Sequence, residues 1–432
     1  MTNEEEEEEL PEAEEGVLVG RGGFKVDRAR ALELLAHYRS PEAGPVMFLA
    51  RAAAAAGASR LRVAWRGPEL TVDFDGEQFS QAELADPYGA FFEEGSRPPA
   101  RFLAQALLHA FRPGLTGLSV VSGVPGAAFE LTTSGTAGET VEPAERAQPG
   151  TTVRFQCSRR DDALLSHPVP ASEIACRPQS HFWGSLPSEF SSDGEALGAF
   201  EPREAGPGEL LDAPSGGPRI LLSFLPPPES RGLLDLYYRG VYAGRLMAAD
   251  GCPDVLAKVD DAELALNASH TALVRSPRVN ALKDRCRVLA WDLVAKVAAE
   301  QTERLPATAA LVRSDARARE LWRLRFTRGA DAELDLSERG ALRPEDERVL
   351  HDAAASSWLR SVAGQFKGKA PPRAREALSR APLFLSGAYE PLSAADLRRL
   401  GKSQKSSGRP GGGAGVVWCE TSGQATLLYR LR

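Results

Sequence analysis

The segment VDDAELALNASHTAL, Val259–Leu273, spaces Val259, Leu264, Leu266 and Leu273 around a polar turn at Asn267 and Ser269. Upstream lie two strand-like runs, RILLSFLP (Arg219–Pro226) and LLDLYYRGVYAGRL (Leu233–Leu246). Downstream, Leu282, Cys286, Leu289, Leu293 and Val297 recur at helical spacing, which predicts a long helix with its apolar stripe turned to a core. Residues 219–305 therefore read as one α/β unit.

Earlier in the chain, helical periodicity over Ala31, Leu34, Leu35 and Tyr38 and an Ala-rich run over Val46–Ala58 predict two helices. RLRVAWRG and ELTVDFDG alternate around Gly67-Pro68 as a hairpin, and Ser80 is placed to cap a short helix. Arg101–Phe111 presents Leu103, Leu107 and Phe111 on one helical face, and LSVVSG, AFELTT and TTVRFQC follow as strands. This order fits an α/β sandwich and not the strand–helix alternation of a doubly wound sheet. Between the two units, residues 166–218 read as a linker, since 185–218 are rich in Pro, Gly, Ser and Glu. Residues 306–432 read as a charged helical segment followed by a small α/β subdomain. The fold class expected is α+β, with residues 17–165 as the N-terminal two-layer sandwich.

Composition narrows the function classes. At 43% hydrophobic and 26% charged residues, the 432-residue chain has ordinary globular usage and room for two or three cores. The net charge of −7 is concentrated: nine of the 59 acidic residues lie in 1–16, a predicted disordered tail, leaving 50 acids against 52 bases. So balanced a body argues against a nucleic-acid binder. The five scattered cysteines include no C-x-x-C pair, no apolar run approaches the ~18 residues that span a bilayer, and no secretory signal is visible. A cytoplasmic protein with no membrane or nucleic-acid partner is expected. A G-x-S-x-G elbow and an H-E-x-x-H zinc motif are also missing, which disfavours a hydrolase of those classes. The loop KSQKSSGRPGGGAG (Lys402–Gly415) lacks a P-loop ending and reads as a flexible connection.

Val259–Leu273 resembles a segment of the heat-shock protein 90 chaperones that reads roughly V-D-S-x-D-L-P-L-N-x-S-R-E-x-L; Val259, Asp260, Leu264, Leu266, Asn267, Ser269 and Leu273 match without a gap. LYYRGVY (Leu236–Tyr242) is similar to the strand that precedes it in that family. LTVDFDGEQFSQAEL (Leu70–Leu84) and Gly150-Thr151 resemble motifs of the family's ATP-binding domain, as do Phe24–Asp27 and the helix bearing Phe48-Leu49. Pro382–Leu400 and VVWCETSG resemble, more weakly, the end of its middle region. The resemblance implies an ATPase-like sandwich, a middle α/β domain, no room for the family's C-terminal dimerisation domain, and protein clients or a dedicated protein partner.

The same resemblance implies that the chemistry is lost. Arg51 stands where the family has its water-activating Glu, and Ala55 where an Asn holds magnesium. Arg stays protonated and cannot act as a base, and a methyl cannot bind a cation. Phe74 occupies the position of the adenine-reading Asp; Asp73 or Asp75 takes its place only with a one-residue shift, which in a strand moves the side chain to the other face. Arg101–Phe111 has no glycine where a phosphate-cradling loop is expected, and His270 replaces the arginine that reaches the γ-phosphate. No catalytic residue and no metal site are therefore expected. A cofactor is not expected either; if ATP with magnesium binds, Asp73, Asp75, Gly76 and Thr151 are the candidate contacts. The alternative expectation is an ATP-dependent chaperone with a rebuilt pocket.

Overall fold

The computed structural model describes residues 44–399 apart from 112–113, 134–138, 147, 166–181, 185, 225–231, 268–271, 329–341, 367–368, 387 and 397–398. The acidic tail, the first predicted helix, the Lys402–Gly415 loop and the last two predicted strands lie outside the described residues.

Helix α1 (Pro45–Ala55) starts after extended Gly44 with Pro45 in its first turn, a position where the missing N–H has no intrahelical partner to lose. Strands β1 (Leu61–Arg66) and β2 (Glu69–Phe74) form the predicted hairpin, with Arg66 opposite Glu69. Their alternation buries Leu61, Val63, Trp65, Leu70, Val72 and Phe74 on one face. Helix α2 (Gln81–Ala85) carries the expected cap: the Ser80 hydroxyl accepts from the Glu83 N–H, and the Glu83 carboxylate accepts from the Ser80 N–H. Helix α3 (Pro98–Ala110) packs beside α1, with Phe48 and His109 rings 4.6 Å apart. Both helices share a core with the sheet face bearing Val72, Val120, Val153 and Phe155.

Strands β3 (Leu115–Val124), β4 (Ala127–Thr133), β5 (Thr140–Ala144) and β6 (Gly150–Cys157) extend that sheet antiparallel, in the order β5-β4-β3-β6-β2-β1. Here the expected linker is corrected. Strands β7 (Ser188–Ser192) and β8 (Glu195–Phe200) continue the sheet beyond β1, with β7 parallel to β1 from Leu61↔Ser188 to Trp65↔Ser192. Strand β9 (Glu209–Asp212) joins the second sheet, opposite β10 (Arg219–Phe224). The physical reason is that these strands are only four to six residues long, and Phe190 buries in the first core while a two-residue turn closes the hairpin. Asp193 and Gly194 both take positive φ, 50° and 89°, as a type I′ turn requires.

The second sheet runs β12-β11-β13-β10-β9, with β11 (Leu233–Tyr238), β12 (Val241–Met247) and β13 (Val255–Asp260). Its face is covered by α4 (Pro277–Ser314), capped by Ser276. The predicted stripe is seated as expected: Leu282, Cys286, Leu293 and Val297 are buried and Leu289 is partly so. Helix α4 continues through Pro306, past the expected boundary at 305. Pro306 is itself exposed, while Leu305, Thr308, Ala309 and Val312 around it are buried, so packing offsets the lost backbone bond. Helices α5 (Ala316–Arg328) and α6 (Pro344–Gln365) close a third small core with the end of α4, and α7 (Pro372–Arg380) leads into the ribbon β14 (Pro382–Leu385) and β15 (Pro391–Ser393). Among the described residues, no helix is long and apolar enough to cross a membrane.

Candidate functional site

The described residues among those read as nucleotide positions fall around the C-terminal half of α1 and the end of β2, and they are engaged within the fold. Arg51 is wholly buried. Its guanidinium lies 5.9 Å from the Phe48 ring centroid and 5.4 Å from that of Tyr238, a residue of the second sheet. Burial lowers its pKa to about 10, so it remains a cation at neutral pH. Ala55 packs against the first core.

Asp73 and Phe74 point to opposite faces of the sheet. Phe74 is 3% exposed within the core, whereas the Asp73 carboxylate accepts from Thr152 Oγ1 at 2.5 Å, on the other face. Asp75 receives the backbone N–H groups of Ser59 and Arg60 at 2.8 and 3.0 Å and the Ser59 hydroxyl. Burial opposes its ionisation, but these hydrogen bonds outweigh it and hold the carboxyl below its usual range. Gly76 has φ 114°, and a Cβ there would lie 2.8 Å from the Ala56 carbonyl oxygen. Thr151, also buried, shares a 2.8 Å hydrogen bond with Ser122, whose hydroxyl accepts from the Phe79 N–H. Gly150 beside it is required by contact: at φ 138° its Cβ would sit 2.6 Å from the Phe74 carbonyl oxygen. The glycine-free stretch is a continuous helix, α3, as expected. His270 lies outside the described residues.

A different set of polar groups converges where the two sheets meet. The β11–β12 turn is Arg239-Gly240, at φ 51° and 77°. Its Gly240 N–H donates to Asp260 Oδ1 at 2.8 Å, and the other carboxylate oxygen lies against Gly184. The guanidinium carbon of Arg219, at the start of β10, lies 5.9 Å from the Trp183 ring centroid, and its Nη2 donates to the Arg203 carbonyl; that of Arg239 lies 5.7 Å from the Tyr238 centroid. Arg219, Arg239, Gly240 and Asp260 line a cleft of about 360 Å³, completed by Ala54 of α1, Leu186, Ala262 and the 213–217 loop. Burial raises the Asp260 pKa to about 7; its Gly240 hydrogen bond and the charges of Arg239 and Arg219 act downward, and neighbouring Asp261 acts upward. Asp261 is itself held in a bidentate pair with Arg278, at 2.6 and 3.2 Å.

Tyr238 joins the two places. Its ring receives Arg51 and Arg239 and meets Phe102 of α3 edge-on at 6.0 Å. Sequence reading passed over Arg219, Arg239 and Tyr238, although Asp260 lay within a recognised motif. The available signal was the Arg-Gly pair between two strand-like runs, which places an arginine in a tight turn. Among the described residues, no cluster of three or more His, Cys, Asp or Glu is arranged to hold a metal. No family model matches this sequence, and comparison with curated proteins finds no match.

Proposed function

We propose that this chain is a cytoplasmic heat-shock-90-like chaperone or scaffold that binds protein clients or a dedicated partner and does not hydrolyse ATP. On this reading the first sheet with α1–α3 is a divergent ATPase-like sandwich reaching Phe200, and the second sheet with α4 is the middle α/β domain. The observation that carries the reading is Arg51. Where the resembling family keeps a carboxylate facing nucleotide, this chain buries a cation between Phe48 and Tyr238 and uses it to join α1 to the second sheet. Phe74 in the core and the internal bonds of Asp73, Asp75 and Thr151 support it.

Thermal unfolding with millimolar ATP and magnesium tests the nucleotide half. A ligand that binds only the native state stabilises it by RT ln(1 + [L]/Kd), and no rise in Tm is expected. A reproducible rise would favour the ATP-dependent alternative. The client half is tested by light scattering of a thermally unfolding substrate protein: suppression at near-equimolar chain is expected, and unchanged aggregation counts against chaperone activity.

A further inference from the structure

We propose that the cleft between the two sheets binds a phosphate group, free or carried by a small molecule, through Arg219 and Arg239. The proposal does not rest on the chaperone reading.

Three observations converge. First, Arg219 and Arg239 both line the cleft. Two like charges lining one cleft favour an anion there. Second, both guanidinium carbons lie over aromatic rings, Arg219 5.9 Å from the Trp183 centroid and Arg239 5.7 Å from the Tyr238 centroid. A guanidinium carries several N–H groups along its edge, and that edge matches a phosphate in bidentate geometry. Third, Arg239 holds φ at 51° in a turn where glycine or asparagine would sit without strain. Strained backbone of this kind clusters at ligand clamps.

Charge and size fit the ligand. Two guanidiniums against the single Asp260 carboxyl leave the cleft net positive in either state of that carboxyl, which has one oxygen committed to Gly240. A lining of about 360 Å³ lies within the ~300–1,000 Å³ range of small-molecule sites, larger than free phosphate alone requires.

Isothermal titration of the full chain with inorganic phosphate, and separately with ribose 5-phosphate, tests the proposal. Saturable one-to-one binding of either probe is expected. Phosphate binding as tightly as the ester identifies free phosphate as the ligand, and tighter ester binding shows that the remaining cavity is used. Affinity should fall at least tenfold in Arg239→Gly, a substitution that relieves the turn and should leave the ligand-free Tm unchanged or raised. Arg219→Gln should weaken binding similarly. Absence of saturable binding of both probes to the wild-type chain at millimolar concentration would overturn the proposal, as would equal affinity in Arg239→Gly.

Discussion

Arg51 is a wholly buried cation on helix α1. An isolated buried charge is expensive, yet here the aromatic faces of Phe48 and Tyr238 flank it. Arg51→Glu should therefore destabilise the chain by about 3–5 kcal/mol, because it places a carboxylate between two electron-rich rings. Arg51→Met, similar in volume and apolar, should cost about 1 kcal/mol or less. Urea unfolding of the two variants separates a charge effect from a packing effect. Asp260 adds a pH dependence. Its folded pKa of about 7 lies above the ordinary carboxylate value of 3.8, so between these values the native state binds more protons than the unfolded chain. Its contribution is therefore lost as pH rises from about 4 to about 7, by about 1–2 kcal/mol once solvent screening of a half-buried group is discounted, and is flat above. Asp260→Asn should remove that slope from a series of urea midpoints between pH 5 and 8. The Arg51 identity was legible in the sequence, but its partner Tyr238 was not, because nothing local couples a helix to a strand so far along the chain.

Elements were legible in proportion to how local their cause is. The β1–β2 hairpin, the Ser80–Glu83 cap and the α4 stripe follow from spacing within a few residues, and all are present. Strands β7 to β9 were obscured because short strands in Pro- and Gly-rich sequence have no periodicity to display, and β7 finds its partner only through the tertiary fold. One local clue was available, the Asp193-Gly194 pair. Gly194→Val should destabilise the chain by about 1–3 kcal/mol through backbone strain alone. A Cβ there would meet nothing within 4 Å, so a loss in chemical-denaturation midpoint reports conformation more than contact.

At the scale of the molecule, the two sheets are tied by more than their covalent connection. Phe182 bridges to Val241, Trp183 donates to the Gly240 carbonyl at 2.9 Å, and Tyr238 reaches both α1 and α3. Val241 of the second sheet packs within the first core. Calorimetry should accordingly show one cooperative endotherm for the described body, and Tyr238→Ala should resolve it into two; two endotherms in the unmodified chain would contradict this coupling.

The parallel pairing of β1 with β7 sets a timetable for biosynthesis. Arg62 and its cross-strand partner Glu189 are 127 residues apart. At roughly 5–20 residues per second, β1 emerges from a ribosome about 6 to 25 seconds before the strand that covers its outer edge. Throughout that interval the nascent chain presents an unpaired strand edge, a template for pairing with neighbouring chains. Translation speed across residues 62–189 should therefore influence yield more than speed elsewhere, since slower synthesis there prolongs the exposure.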